Sequence, residues 1–325
     1  MGKGSKIPIS IITGCLGSGK TTLIQEVLNH KNFNEDVAII VNEFGEVGLD
    51  HHLLKLVEEK TKLLNGGCIC CNSREDLEQE LIEILNAYER DTLFIDRLLI
   101  ETTGLADPSP MLFTLVNNPI LQNRFNIDCV IMTIDAINGE LQFKNNPEIY
   151  KQLAVADKVV ITKHEMNPKV DVLIKKIQTL NPASTISLFS DIDETLFIGE
   201  NFSNYAIEEI KLSTPQNHYS AEIQSISFSF TKPLNWTAFG IWLSMLLYAE
   251  GESILRVKGI LDVGETGPII LNGVQHIIHP PQHLNEWPDQ IKYSHIVFIV
   301  RGIDIKQLES SLLAFQNFLG TEVAI

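Results

Sequence analysis

Gly14-Cys15-Leu16-Gly17-Ser18-Gly19-Lys20-Thr21 matches G-x-x-x-x-G-K-[ST] at every fixed position, behind an apolar run and ahead of a helical one. No other stretch restricts the fold as much. The motif needs a strand to deliver the loop and a helix to leave it, which sets a strand–loop–helix unit at the start of a parallel sheet. Its glycines let backbone N–H groups wrap a phosphate chain, and the helix N-terminus adds its dipole. Lys20 is expected to reach the outer phosphates and the Thr21 hydroxyl to ligate Mg²⁺. Gly14 through Thr21, with Thr22 behind them, are therefore the expected nucleotide contacts. The competing reading is a chance match in a glycine-rich turn, and the flanking strand and helix count against it.

Through roughly the first two hundred residues, short apolar strands alternate with helical stretches, the pattern of a parallel sheet covered by helices. Strands are expected at Ile7–Thr13, Val37–Val41, Leu98–Glu101, Cys129–Ile134, Lys158–Thr162 and Thr185–Phe189. Several are unbroken apolar runs, as in strands buried on both faces. Helices are expected at Thr21–Asn29, Arg74–Tyr88, Ser109–Leu115 and Val170–Leu180. From Asp191 to Ser220 the composition turns to Asn, Ser, Thr and acids around Pro215, which reads as a linker.

Beyond it, Glu222–Phe230 alternates with period two, Trp236–Ala249 is helical, and strand-like runs follow at Ser253–Leu261, Pro268–Leu271, His276–Ile278 and His295–Val300. A helix at Ile305–Phe318 closes the series. The expected organisation is an α/β P-loop nucleotide domain over 1–200, a linker over 201–220, and a smaller α+β domain with an antiparallel sheet over 221–325.

A net charge of −16 over 325 residues argues against nucleic acid and anionic membrane surfaces, and suits a protein that handles cations. No run approaches the roughly 20 apolar residues of a membrane helix. After Lys3 and Lys6 the chain enters its first strand, so no signal peptide is expected. Five cysteines, an odd number in a long chain, do not read as a secreted disulfide framework. A cytoplasmic protein, monomer or dimer, is the expectation.

The second acid of a Mg²⁺–nucleotide site should end a strand beside the loop, and Leu98-Leu99-Ile100-Glu101-Thr102-Thr103-Gly104 places Glu101 there. A capping or surface carboxylate is the plainer alternative for Glu101. Val159-Val160-Ile161-Thr162-Lys163-His164-Glu165 ends a later strand, where guanine-specific domains carry N-K-x-D. Here Thr162 stands for Asn and Glu165 for Asp. A carboxylate at Glu165 can still accept from the guanine edge and the Lys163 stem can cover the base, which favours GTP over ATP.

Cys68, Cys70 and Cys71 fall within Gly66-Gly67-Cys68-Ile69-Cys70-Cys71. Three thiolates so close can converge on one soft or borderline metal ion, Zn²⁺ or Co²⁺, Fe²⁺ or Ni²⁺. Glu46, His51, His52, water or a partner protein can complete the set. Redox-active thiols and small packed cysteines remain competing readings. Three protein ligands leave a position open for exchange, so such a site can pass its metal on. Cys15 and Cys129 read as packed side chains. His276, His279 and His283 can form a second metal site, although a strand ending at Pro280-Pro281 reads better as placing them on its surface.

Together, GCLGSGKTT (Gly14–Thr22), NEFGEVGLD (Asn42–Asp50), GGCICCN (Gly66–Asn72) and ETTGLADP (Glu101–Pro108) resemble the CobW-type family of metal-handling P-loop GTPases. That family includes cobalamin-synthesis accessory proteins, nitrile hydratase activators and zinc chaperones. RVKGIL (Arg256–Leu261) and GVQH (Gly273–His276) extend the likeness over essentially the whole chain. The resemblance implies a G-domain followed by a smaller C-terminal domain, slow GTP hydrolysis, and metal delivery to a client metalloprotein. It makes Cys68, Cys70 and Cys71 the metal ligands, with Glu46 a further one. Cys15 departs from the aromatic common at its place, T-K-H-E from N-K-x-D, and the long His-rich tract of some members is absent. Two other functions compete: a metal-responsive GTP-binding regulatory module without transfer, and an activator that inserts cobalt or iron into an enzyme.

Overall fold

The computed structural model describes residues 6–41, 61–63, 74–199, 223–288 and 293–318. The expectations for Glu46, His51, His52, Cys68, Cys70, Cys71 and the 201–220 linker lie outside them. The chain divides into two compact units, the first ending at Gly199, with Ile177–Ala183 grouped with the second.

In the first unit the chain runs β1 (Ile7–Thr13), α1 (Lys20–Leu28), β2 (Val37–Val41), β3 (Thr61–Leu63), α2 (Arg74–Glu89), β4 (Arg97–Glu101), α3 (Ser109–Asn117) and α4 (Pro119–Arg124). It continues through β5 (Phe125–Asp135), α5 (Gly139–Asn145), α6 (Glu148–Val155), β6 (Lys158–Thr162), α7 (Val170–Leu180) and β7 (Thr185–Leu188). Seven strands lie in the order β3-β2-β4-β1-β5-β6-β7, and every pairing is parallel. Ile9, Ile11 and Ile12 of β1, Leu98–Ile100 of β4 and Val159–Ile161 of β6 are all fully buried. Burying each such aliphatic chain contributes about 1.5–3 kcal/mol, which is why these strands show no polar alternation. β1 has β4 on one side and β5 on the other, so the loop after β1 opens between the ends of both, where ligands of open α/β sheets bind.

Two expectations need correction. β5 starts at Phe125 rather than Cys129, and its pairing with β1 shifts register between Ile9 and Ser10, where the polar Asp128 is the extra residue. The linker expected from Asp191 is no linker as far as Gly199. Phe197 is fully buried and meets Phe33 edge-on at 6.2 Å. Its carbonyl accepts from Ser10 Oγ at 2.7 Å and from Arg97 Nη1 at 2.8 Å. Lys158 Nζ donates to the carbonyls of Leu196 at 3.1 Å and Ile198 at 2.8 Å. Arg97 and Lys158 open β4 and β6, so this strap crosses the N-terminal edge of the sheet. The acids at Asp191, Asp193 and Glu194 read as linker, but the Leu196–Ile198 carbonyls behind them are held by two buried cations.

α2 buries Leu77, Leu81, Ile84 and Leu85. Beside them Glu80 keeps both carboxyl oxygens shielded and without a hydrogen-bond partner among the described residues. Burial first, then the neighbouring Glu83, pushes the Glu80 carboxyl up to about 7 from 4.5. The folded state therefore holds a proton that the unfolded chain has released between those values. The sign follows: stability falls as pH rises through that window and is lowest above it. Glu80→Gln is expected to raise stability by about 1–2 kcal/mol near pH 8 and to leave it unchanged near pH 4, read by urea denaturation at both.

In the second unit β8 (Ile223–Phe230) precedes α8 (Trp236–Glu250), β9 (Ile254–Leu261), β10 (Ile269–Val274), β11 (Ile277–Ile278), β12 (Gln282–His283), β13 (Ser294–Arg301) and α9 (Ile305–Phe318). The sheet runs β11-β10-β9-β13-β8, with β12 on β10, and its pairings are antiparallel. Its core centres on Phe239, Trp242 and Phe298, the last two edge-on at 5.9 Å. His283 pairs opposite Ile269 at one end of β10, whereas His276 sits in the turn beyond Val274 at the other, with Nδ1 3.3 Å from the Leu247 carbonyl. Among the described residues no three His, Cys, Asp or Glu gather as a metal site. No helix there is long and apolar enough to cross a membrane.

Candidate functional site

The loop after β1 is shaped by what surrounds it. Gly14 has φ +136°, and a Cβ there would collide with the Thr133 carbonyl and hydroxyl, so only glycine fits. Ser18 Oγ and Thr133 Oγ1 share a hydrogen bond of 2.6 Å, which ties the loop to β5. α1 begins at Lys20, which is 7% exposed. Its ammonium donates to the carbonyls of Gly14 at 2.9 Å and Cys15 at 3.2 Å. The loop closes around its own lysine, and arriving phosphates compete with those carbonyls for the charge. Cys15 lies buried beneath it; burial pushes the thiol upward, with Asn146 Nδ2 4.0 Å from Sγ. A thiol so placed packs rather than reacts. Leu16 and Gly17 are exposed at the loop tip, and Thr22 is exposed on the first turn of α1.

Glu101 closes β4 directly opposite Ile12 of β1. It is 5% exposed, and its Oε1 accepts from Thr21 Oγ1 at 2.9 Å. Sequence placed these two residues 80 positions apart, and the parallel register joins them. A hydroxyl and a carboxylate are the hard oxygen donors that Mg²⁺ takes, so the pair fits that ion. Beyond Glu101, the Thr102 hydroxyl donates to Thr13 Oγ1 at 3.0 Å. Gly104 then lies so close to the backbone of Cys15 and Leu16 that a Cβ would collide with it.

The end of β6 supports the loop from the other side. Thr162 Oγ1 donates to the Ser18 carbonyl at 2.8 Å, so its hydroxyl bonds the loop where N-K-x-D domains have an amide. Lys163 takes φ +55° and donates from Nζ to the Gly17 carbonyl at 2.9 Å and to Asp135 Oδ2 at 2.6 Å. Glu165 stands 65% exposed, with Oε1 3.5 Å from His164 Nε2.

Asp135 escaped the sequence reading. Burial alone would raise its carboxyl, but Lys163, Asn138 and the N–H groups of Ile137 and Asn138 hold it below the usual carboxylate range. The signal was present: Asp135 follows Met132-Thr133-Ile134 at a strand end, as Glu101 follows its own aliphatic run.

The strand–loop–helix and the strands beside it have counterparts in known proteins. Residues 8–187 match the family model described as CobW/HypB/UreG, nucleotide-binding domain. The chain belongs to the CobW/HypB/UreG family. Residues 223–316 match the cobalamin synthesis protein cobW C-terminal domain, so both halves have CobW counterparts. Among CobW-type relatives, the zinc chaperone YjiA of Escherichia coli K12 is 31% identical over 309 residues, covering 93% of this chain and 96% of that protein. The zinc-regulated GTPase metalloprotein activator 1 of Schizosaccharomyces pombe is 28% identical over 323 residues, covering 83% and 76%. The crystal structure of Zn(II)-bound YjiA GTPase from E. coli superimposes with a TM-score of 0.70 at 28% identity, covering 96% of this chain and 99% of that one.

Proposed function

We propose that this chain is a GTP-hydrolysing metallochaperone that carries zinc, or a similar transition metal, on Cys68, Cys70 and Cys71 and hands it to a client metalloprotein under nucleotide control. The 2.9 Å bond between Thr21 and Glu101 carries the nucleotide half, because it joins the phosphate loop to the strand end that a Mg²⁺–nucleotide site requires. The metal half is supported by the three clustered thiols and by relatives described as a zinc chaperone and a zinc-regulated GTPase.

GTP would enter between the ends of β1, β4 and β5. Lys20 would move its ammonium from the Gly14 and Cys15 carbonyls to the outer phosphate oxygens. Thr21 and Glu101 would hold Mg²⁺, which when bound supplies neutralising charge across the β- and γ-phosphates. Thr162 and Lys163 keep the loop in shape, and Glu165 would accept from the guanine edge. Hydrolysis then rests on positioning and electrostatics rather than on a strong general base, so intrinsic turnover is slow. Soft thiolates suit zinc and its neighbours, and Glu46 would complete the set while remaining easy to displace.

A competitive zinc titration of the reduced full-length protein, loaded with Mg²⁺ and either GDP or a non-hydrolysable GTP analogue, tests the coupling. The expected result is an affinity difference of about tenfold, within the usual range for linked sites, that disappears in Cys70→Ser. Equal affinities would remove nucleotide control and leave the regulatory-module reading ahead. Thiolates also take cobalt and iron, so insertion of one of those ions into an enzyme is the further alternative. Transfer assays with each metal and an apo-client separate the two.

A further inference from the structure

α6 lies along the loop that follows Glu101. From it Gln152, 0% exposed, donates from Nε2 to the carbonyls of Ala106 at 2.9 Å and Gly104 at 3.3 Å. Both partners are acceptors, which settles the amide's orientation: the nitrogen must face the loop. Its Oε1 is left buried with no hydrogen-bond partner among the described residues. An unmet buried acceptor is unfavourable, so the amide is oriented to serve the loop rather than its own oxygen. One residue earlier, Lys151 pairs with Asp107 at 3.4 Å. On its other side the same loop presses Gly104 against the backbone of Cys15 and Leu16. Gly104–Asp107 is thus gripped between α6 and the phosphate loop, directly downstream of Glu101.

We propose that Gln152 is a positioning residue for GTP hydrolysis: it latches the Gly104–Asp107 loop against the phosphate loop and so fixes the backbone that runs on from Glu101 beside the phosphates. The assignment rests on the reading of Gly14–Thr21 as the nucleotide loop. The latch consists of one donor group and two carbonyls, so chemistry that preserves volume can undo it.

Two full-length variants test it. Gln152→Met keeps the volume and removes the polar atoms, while Gln152→Glu keeps the shape and turns a carboxylate toward the two carbonyls. Both are expected to lower kcat for GTP by about tenfold or more, as small misplacements of catalytic groups do. KM and GDP affinity should stay near wild type, because the phosphate loop is untouched. A carboxyl buried against carbonyls ionises late, and its acid form can donate one hydrogen bond. The Gln152→Glu rate, relative to wild type, should therefore recover as pH falls from about 8 to about 6, and that of Gln152→Met should not.

Wild-type kcat in Gln152→Met overturns the latch, as does a Gln152→Glu profile parallel to wild type. A fall in GDP affinity matching the fall in kcat also overturns it, since the residue would then only support the fold of the loop. Should neither variant fold, Lys151→Ala decides: a drop of about twofold in kcat with GDP affinity unchanged supports the latch, and an unchanged kcat overturns it. Failure of the underlying reading shows up separately, as GDP binding that survives Lys20→Ala.

Discussion

Lys20→Ala is expected to lower kcat for GTP by roughly 10²–10³, the usual loss when a charged or polar donor to a developing oxyanion is removed. GDP affinity should fall with it, because the same ammonium serves ground state and transition state. The native position of that ammonium explains why the loss should be large. It is buried, bonded to the Gly14 and Cys15 carbonyls at 2.9 and 3.2 Å, and already inside the ring that phosphates must enter. A neutral methyl leaves those carbonyls facing the phosphates with no cation between them. Single-turnover GTP hydrolysis and GDP titration read both effects. Wild-type turnover in this variant would mean that nucleotide chemistry occurs elsewhere in the chain.

Arg97→Ala should have the largest effect on stability, about 3–5 kcal/mol, the range for breaking a buried pair by removing one member. The Arg97 side chain is 4% exposed and contacts Glu35 Oε2 at 2.6 Å and Asp128 Oδ2 at 2.6 Å. It also donates to Ser10 Oγ at 3.0 Å and to the Phe197 carbonyl at 2.8 Å. Its removal strands two carboxylates and loosens the strap that seals the sheet edge. Thermal unfolding should shift down by about 10 °C, with nucleotide affinity at low temperature preserved. Arg97→Lys should recover little, because a single ammonium cannot reproduce a forked set of donors on both acids. A shift of only a degree or two would show that the network is dispensable.

The fold was legible where physics is local. Val37–Val41, Lys158–Thr162 and Ile305–Phe318 form the elements their patterns predict, because unbroken β-branched runs and helical periodicity need no tertiary help. Legibility failed where one element depends on another. α5 and α6 are short and separated by Asn146-Pro147, which reads locally as a break; they exist because Phe143, Ile149 and Leu153 are buried in the domain. The start of β5 reads as polar until a register shift accommodates it. The 191–199 strap reads as a linker because its partners, Arg97 and Lys158, are far away in sequence.

The site divides in the same way. The phosphate loop and Glu101 announce themselves by spacing, and Thr162 and Lys163 by their place at a strand end. Asp135 needed only the strand-end argument applied once more. Gln152 had no such sign, since its role comes wholly from the two carbonyls that it meets.

The strap also decides where the nucleotide domain bears mechanical load. Tension drawn along the chain beyond Gly199 falls first on carbonyls clamped by Lys158 and Arg97, at the edge of the sheet opposite the phosphate loop. Along that route the load is taken by hydrogen bonds at the N-terminal ends of β4 and β6, far from the loop that carries Lys20 and Thr21.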